Sequence, residues 1–195
     1  MTTPTRARLV EAAWRCICEG GIKGATSRAI TAAAGANLGA ITYHFGSKDA
    51  VVAEAICQAV EDLIAPAIAA LEAGADDPAA ALLAAVAQLQ QSYDRVIVDA
   101  PAYLEVLAQS RRMPLVRDRL GALFARVRQL LAGQMSDYQA RRYLPVWVEP
   151  EAMAGLLIAV AEGVVMHSVI DEAGPDTGAM AGQFAQLLLA GRSPS

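Results

Sequence analysis

Between Thr26 and Lys48 the chain reads Thr-Ser-Arg-Ala-Ile-Thr-Ala-Ala-Ala-Gly-Ala-Asn-Leu-Gly-Ala-Ile-Thr-Tyr-His-Phe-Gly-Ser-Lys, and the punctuation of this stretch leaves few folds open. Thr26 is placed to cap a helix, Ile30 and Ala33 give that helix an inward face at i and i+3, and Gly35 can take the positive φ where it must stop. Asn37 follows at once as the cap of a second helix. A connection this short, with small Ala residues where the helices meet, forces a steep crossing, so the second helix projects from the surface. Its outward positions, Leu38, Gly39, Ala40, Thr42, Tyr43 and His44, are small or hydrogen-bonding, whereas Ile41 and Phe45, at i and i+4, point back to the core. Adjacent Tyr43 and His44 cannot both face one core, so at least one is wet. Ser47 caps the next helix and Lys48 sits in its first turn, the wrong end for a cation by the macrodipole argument, which implies an anion nearby. A DNA-reading helix-turn-helix has this form.

Residues from about Leu9 to Lys48 resemble the DNA-binding domain of the TetR family of bacterial transcriptional regulators. The resemblance takes in Leu9, Ala12, Ala13 and Ile17 of a first helix, Gly21 after it, Thr26, Arg28 and Ile30 of the second, and Ala34-Gly35. Its most specific run is Gly39-Ala40-Ile41-Thr42-Tyr43-His44-Phe45-Gly46-Ser47-Lys48. By that resemblance Thr26, Tyr43, His44 and Lys48 contact DNA phosphates, and the exposed start of the recognition helix meets base edges. The DNA-facing set is then Thr26, Arg28, Asn37, Leu38, Gly39, Ala40, Thr42, Tyr43, His44 and Lys48. The chain departs from the commoner pattern in Leu38, where a polar or basic residue is frequent, and in Thr42, where an aromatic is frequent. No Arg or Lys on this helix can fork onto a guanine, so Ala40, Thr42 and Leu38 are left to pack on thymine methyl groups.

Taken singly, these residues have plainer readings: Thr26, Asn37 and Ser47 would cap helices in any protein, and a lone Lys48 is an ordinary surface charge. Their joint arrangement and the charge distribution favour DNA. Residues 1–50 carry Arg6, Arg8, Arg15, Lys23, Arg28 and Lys48 against Glu11, Glu19 and Asp49, a net of +3, while the whole chain is −4 and the remainder therefore −7. An acidic protein can still bind nucleic acid through local positive charge, because fields are screened beyond ~8 Å at physiological salt.

The 195 residues are rich in Ala and Leu with little β-branched alternation, which predicts an all-α fold. We expect about nine helices: an N-terminal three-helix DNA-binding domain over 1–48 and a helical effector-binding and dimerisation domain over 49–195. A long helix from Ser47 to Gly74 is expected to kink or break at Pro66; others follow from Asp77-Pro78 to Val98, from Asp99-Ala100-Pro101 to the Arg111–Pro114 break, and from Leu115 to about Met135. A Pro-bounded connection from Tyr143 to Pro150 leads to two final helices, Glu151 to Glu172 and Asp176 to Ala190.

The penultimate helix carries Met153, Leu156, Leu157, Val160, Val164, Val165, Val169 and Ile170, too many apolar residues for one monomer's core. The last offers Met180, Phe184, Leu187 and Leu188 as a companion stripe. In TetR-like proteins these two helices pair with their copies, so the resemblance implies a homodimer whose interface includes Leu156, Val160, Gly163, His167, Phe184 and Leu188. It also implies a small-molecule effector pocket among the middle helices, with Tyr93, Tyr103, Leu107, Met113, Phe124, Trp147 and Met166 as candidate lining, although each of these serves equally well as ordinary packing. Arg111-Arg112 could meet an anionic effector or be a solvated pair.

Three cysteines, Cys16, Cys18 and Cys57, form no metal-ligand pattern; a buried small hydrophobe is the favoured reading of Cys16, a redox sensor the alternative. No metal and no cofactor are expected. The only histidines, His44 and His167, lie in different segments and no nucleophile or phosphate-loop motif occurs, so catalysis is not expected. No apolar run spans a bilayer and the start lacks a signal-peptide core, which points to the cytoplasm and no membrane partner. The sequence therefore predicts a ligand-responsive repressor that binds a palindromic double-stranded DNA operator as a dimer and is released by its effector. The competing class, a helical oligomerisation or adaptor protein with a degenerate DNA-binding domain, leaves Tyr43, His44, Lys48 and the local positive charge unexplained.

Overall fold

The computed structural model describes residues 4–73, 84–85, 87–88, 101–142, 144–171, 176, 179–180 and 183. They form α1 (Pro4–Gly24), α2 (Ser27–Ala34), α3 (Gly39–Phe45), α4 (Lys48–Ala73), α5 (101–109) with a closing 3₁₀ turn at Ser110–Arg112, α6 (Pro114–Ala140) and α7 (Pro150–Ile170). No strand occurs among the described residues, and the class is all-α. The expected helices over 77–98 and 176–190 lie mostly outside the described residues, of which 84–85, 87–88, 179–180 and 183 are helical. The chain divides into two compact units, Met1–Asp62 with Asp99–Ala122, and Leu63–Val98 with Leu123–Ser195.

In the first unit α1 buries Leu9, Ala12, Ala13, Cys16 and Ile17, the i, i+3, i+4, i+7, i+8 stripe of an amphipathic helix. It packs on α2, and both touch α3. Leu9 and Ile17 are essentially fully buried; each such side chain contributes about 1.5–3 kcal/mol of hydrophobic stabilisation. The start of α4 belongs to this unit because Val51, Val52, Ala55, Ile56 and Val60 are buried there, as are Ala102 and Val106 of α5 and Val116 and Leu120 of α6.

Helix α1 is interrupted at Gly21, with φ 68° and ψ −179°, backbone essentially restricted to glycine. The Ile22 N–H exposed by that break donates to both Glu105 carboxylate oxygens, at 3.4 and 3.3 Å. A Cβ on Gly21 would stand 2.7 Å from Glu105 Oε2, so the bare glycine is also what lets α5 approach.

The second unit is organised around Ala67 and Leu71 of α4, Ala85, Leu131, Met135 and Tyr138 of α6, and Ala154 of α7. Gln134 reaches from α6 to donate to the Leu71 carbonyl at 3.0 Å, in the last turn of α4 where carbonyls lack helical donors. Gln139 similarly donates to the Pro145 and Val148 carbonyls, folding the connection back onto the end of α6.

Three expectations need correction. Helix α4 is continuous through Pro66; the ring removes one donor, but Asp62, whose carbonyl loses it, and Pro66 are both exposed, so water can serve that carbonyl. Helix α6 runs to Ala140 rather than Met135 because nothing before Arg142, at φ 61°, turns the backbone out of it. The inward face of α2 is Ile30, Thr31 and Ala34, while Ala33 is exposed. Thr31 can face inward although polar because its hydroxyl donates to the Ser27 carbonyl at 2.8 Å.

Candidate nucleic-acid interface

Short-range hydrogen bonds shape the segment that carries α2, α3 and the start of α4. Thr26 Oγ1 accepts from the Ala29 N–H at 3.2 Å and fixes the start of α2. At its far end Gly35 is left-handed (φ 58°, ψ 41°); its N–H reaches the Ala32 carbonyl at 3.2 Å and the Ala36 N–H reaches Thr31 at 2.9 Å. That reciprocal pair is a Schellman turn. It ends α2 abruptly and leaves only Asn37 and Leu38 before α3.

Asn37 is not the side-chain cap of α3. Leu38 holds the N-cap position without a side-chain bond, and the first turn closes through the Asn37 carbonyl, which accepts from the Ala40 N–H at 3.0 Å. With its backbone used in this way, the exposed Asn37 side chain remains available at the surface. Of the residues in α3, Ile41 is buried and Phe45 is half-buried. Leu38, Gly39, Thr42 and Tyr43 are exposed, Tyr43 at 84%, while Ala40 and His44 are intermediate. The His44 ring meets the Tyr43 ring edge-on at 4.8 Å and the Phe45 ring at 6.5 Å, restricting the orientation of an otherwise wet Tyr43.

Gly46 (φ 77°) ends α3, and Ser47 Oγ caps α4 by accepting from the Ala50 N–H at 3.1 Å. Lys48 does find an anion, the neighbouring Asp49 at 3.1 Å, but the pair is open to solvent and can be exchanged for a phosphate. Arg28 is exposed in the first turn of α2. The segment thus presents two helix N-termini, whose orphan N–H groups attract anions, beside a helix edge of small and hydrogen-bonding side chains.

The other predicted residues fall in different places. Tyr103 is buried on α5, with Leu107 and Met113 half-buried, in the first unit; half-buried Phe124 belongs to the second. Trp147, 79% exposed in the α6–α7 connection, and exposed Met166 near the C-terminal end of α7 are not enclosed by their own unit. Tyr93, Phe184 and Leu188 lie outside the described residues. On α7, Met153, Leu157 and Ile158 pack beside Ala154 against the second unit's core. Leu156, at 57% exposure, Val160 and His167 are exposed and Gly163 half-buried along another stripe.

Burial pushes the Cys57 thiol up, with Arg119 only partly offsetting this, and also raises Cys16. Neither has the electropositive, accessible setting that a sensor thiol requires. Among the described residues no group of three or more His, Cys, Asp or Glu could hold a metal ion, and no helix is long and apolar enough to cross a membrane. Sequence reasoning missed Arg6, whose guanidinium carbon lies 4.8 Å from the Phe45 ring centre. The contact joins residues far apart in the chain and leaves no periodic trace.

The sequence profile described as "Bacterial regulatory proteins, tetR family" matches residues 9–55, the span that contains this interface. The HTH-type transcriptional regulator BetI of Burkholderia thailandensis is 29% identical over 194 residues, 96% of this chain and 95% of that protein. Among solved structures, the multidrug binding protein EbrR in complex with proflavin is 25% identical at a TM-score of 0.62, covering 94% of this chain and 99% of its own. A transcriptional regulator from Saccharomonospora viridis in complex with choline has the same fold at a TM-score of 0.74, with 22% identity and 94% of each chain covered. The capped helices, the exposed α3 and these likenesses lead to one conclusion: residues 9–55 match the tetR family of bacterial regulatory proteins, and over nearly its whole length the chain is similar to transcriptional regulators of the helix-turn-helix type.

Proposed function

We propose that this regulator binds a palindromic operator as a two-fold dimer, represses transcription there, and is released when a small-molecule effector binds its helical second part. The observation that carries the DNA half of the reading is α3: Ile41 anchors it inward while Leu38, Thr42 and Tyr43 stand exposed on one short projecting helix. Thr26, Arg28, Tyr43, His44 and Lys48 serve as phosphate contacts that set register, and Asn37, Leu38, Gly39, Ala40 and Thr42 face base edges. With no Arg or Lys on α3, specificity rests on methyl packing, on the Thr42 hydroxyl and on the Asn37 amide, which can pair bidentately with an adenine edge.

The dimer half is supported by α7, which has one apolar stripe in its own core and a second, through Leu156, Val160 and Gly163, without cover from its own subunit. Two subunits related by a two-fold axis would set their recognition helices about 34–36 Å apart, one turn of duplex. Of the expected effector contacts, Phe124 is the half-buried one in the second unit, and Tyr103, Leu107 and Met113 are buried or half-buried in the first. The complexes of the similarly folded EbrR with proflavin and S. viridis regulator with choline support a small organic effector for this chain. An effector weakens operator binding by the ratio of its affinities for the DNA-competent and DNA-incompetent conformations.

The test is binding of the purified protein to the DNA immediately upstream of its own gene, titrated with salt and compared with scrambled DNA and with Tyr43→Ala. Tight binding at moderate salt, lost on scrambled DNA and in the variant, is the expected result. Weak binding insensitive to both changes would overturn the reading.

A further inference from the structure

Within the first unit, three helices are tied to the end of α3 by a continuous run of charged contacts. Arg119 on α6 grips Glu61 of α4 with two parallel bonds, Nε to Oε1 at 2.9 Å and Nη2 to Oε2 at 3.1 Å. Its remaining amine, Nη1, donates to Glu54 Oε2 at 3.2 Å. The other Glu54 oxygen accepts from Arg6 Nη2 of α1 at 3.0 Å, and the Arg6 guanidinium carbon stands 4.8 Å from the centre of the Phe45 ring, the last residue of α3. From Phe45 the edge contacts with His44 lead on to the exposed Tyr43.

Glu54 is the pivot, because its two oxygens are divided between two guanidinium groups on different helices. Each arginine is held to one oxygen only while the other occupies its neighbour. If Arg119 is withdrawn, the carboxylate is free to take the Arg6 fork with both oxygens, the preferred geometry of an unshared Arg–carboxylate pair. Arg6 would then turn away from a pose that lays it over Phe45. Exposed ion pairs contribute little singly, but half-buried, forked and shared ones constrain geometry.

We infer that Arg119 and Glu54 are positioning residues for DNA recognition: without touching DNA, they hold Arg6 over Phe45 and so set the pose of α3 and its Tyr43. This rests on the operator-binding reading above.

The experiment first selects a duplex from a random pool with the wild-type protein. It then measures affinity for that duplex and for scrambled DNA, over a salt series, with wild type, Arg119→Gln, Phe45→Leu and the double variant. Glu54→Gln provides an independent break of the same run, and thermal melts establish which variants are folded. We expect Arg119→Gln and Glu54→Gln each to lose about fivefold in specific affinity, a typical coupling between sites. Scrambled-DNA affinity and the salt slope should be unchanged, because no phosphate contact has been removed. Adding Arg119→Gln to Phe45→Leu should cost no further affinity. Folded Arg119→Gln and Glu54→Gln proteins within twofold of wild type, a flattened salt slope, or losses that multiply in the double variant would overturn the positioning role. Failure of the wild-type protein to enrich any duplex would instead overturn the operator-binding reading beneath it.

Discussion

Replacing Lys48 by Gln separates DNA contact from folding in a single residue. Lys48 is the first residue of α4 and its amine lies 3.1 Å from Asp49, with side-chain exposures of 41% and 81%. An ion pair this open contributes at most about 1 kcal/mol, and a cation at a helix N-terminus is itself disfavoured by about 0.3–1 kcal/mol, so Lys48→Gln should leave the melting temperature unchanged or slightly raised. Operator binding should respond quite differently. Two subunits each lose one phosphate contact, which makes the log–log salt dependence shallower by about 1.8. A fourfold rise in salt, from about 50 to about 200 mM, should therefore shrink the variant's affinity deficit about tenfold. Asp49→Asn makes the reciprocal case: it frees the Lys48 amine and removes an anion from the DNA side, so operator binding should tighten while α4 loses a favourable first-turn charge. Fluorescence anisotropy over a salt series, alongside thermal melts, measures all of these effects. A Lys48→Gln deficit equal at both salt concentrations would refute the phosphate contact, and a lowered melting temperature would refute the claim that the residue serves DNA rather than fold.

Other changes probe the turn, the dimer face and pH. Gly35→Ala should destabilise by about 1 kcal/mol in urea unfolding, from the left-handed backbone alone, since a Cβ there meets nothing within 4 Å. Gly21→Ala should cost more, because the new Cβ also collides with the Glu105 carboxylate; equal costs would contradict this account. Leu156→Glu with Val160→Glu should convert a dimer to folded monomers in sedimentation, as both side chains are exposed in the single subunit; an unchanged dimer would place the interface elsewhere. Burial raises the Glu162 carboxyl above its ordinary value of 4.5, so its contribution to stability is full below that value and lost as pH rises through the raised one. Glu162→Gln should therefore raise the melting temperature near neutral pH and leave it unchanged in acid, and the opposite pattern would contradict the burial argument.

How much of this could be read from the chain depended on the range of each interaction. Thr26, Gly35 and Ser47 were assigned correctly because a cap or a left-handed stop is decided by its immediate neighbours. The same locality misled at Asn37, where a suitable capping side chain lost to a turn closed by its own carbonyl, and at Ala33, where hydrophobicity hid the inward role of Thr31. Of the kink or break expected at Pro66, the break is absent, since the helix continues through it. The projecting α3 with Ile41 inward and Tyr43 outward followed from period and composition.

By itself, then, the sequence determined an all-helical chain, the position of its helix-turn-helix and the excess of apolar surface on α7, because these follow from short-range backbone rules and from counting which residues one core can hold. Only the tertiary structure decided that Glu105 meets the broken end of α1, that Lys48 rests beside Asp49, and that Arg119, Glu54 and Arg6 form one run ending on Phe45. The longer of these contacts join residues many turns apart. Which charges meet there is set by how the helices pack, and no spacing along the chain encodes it.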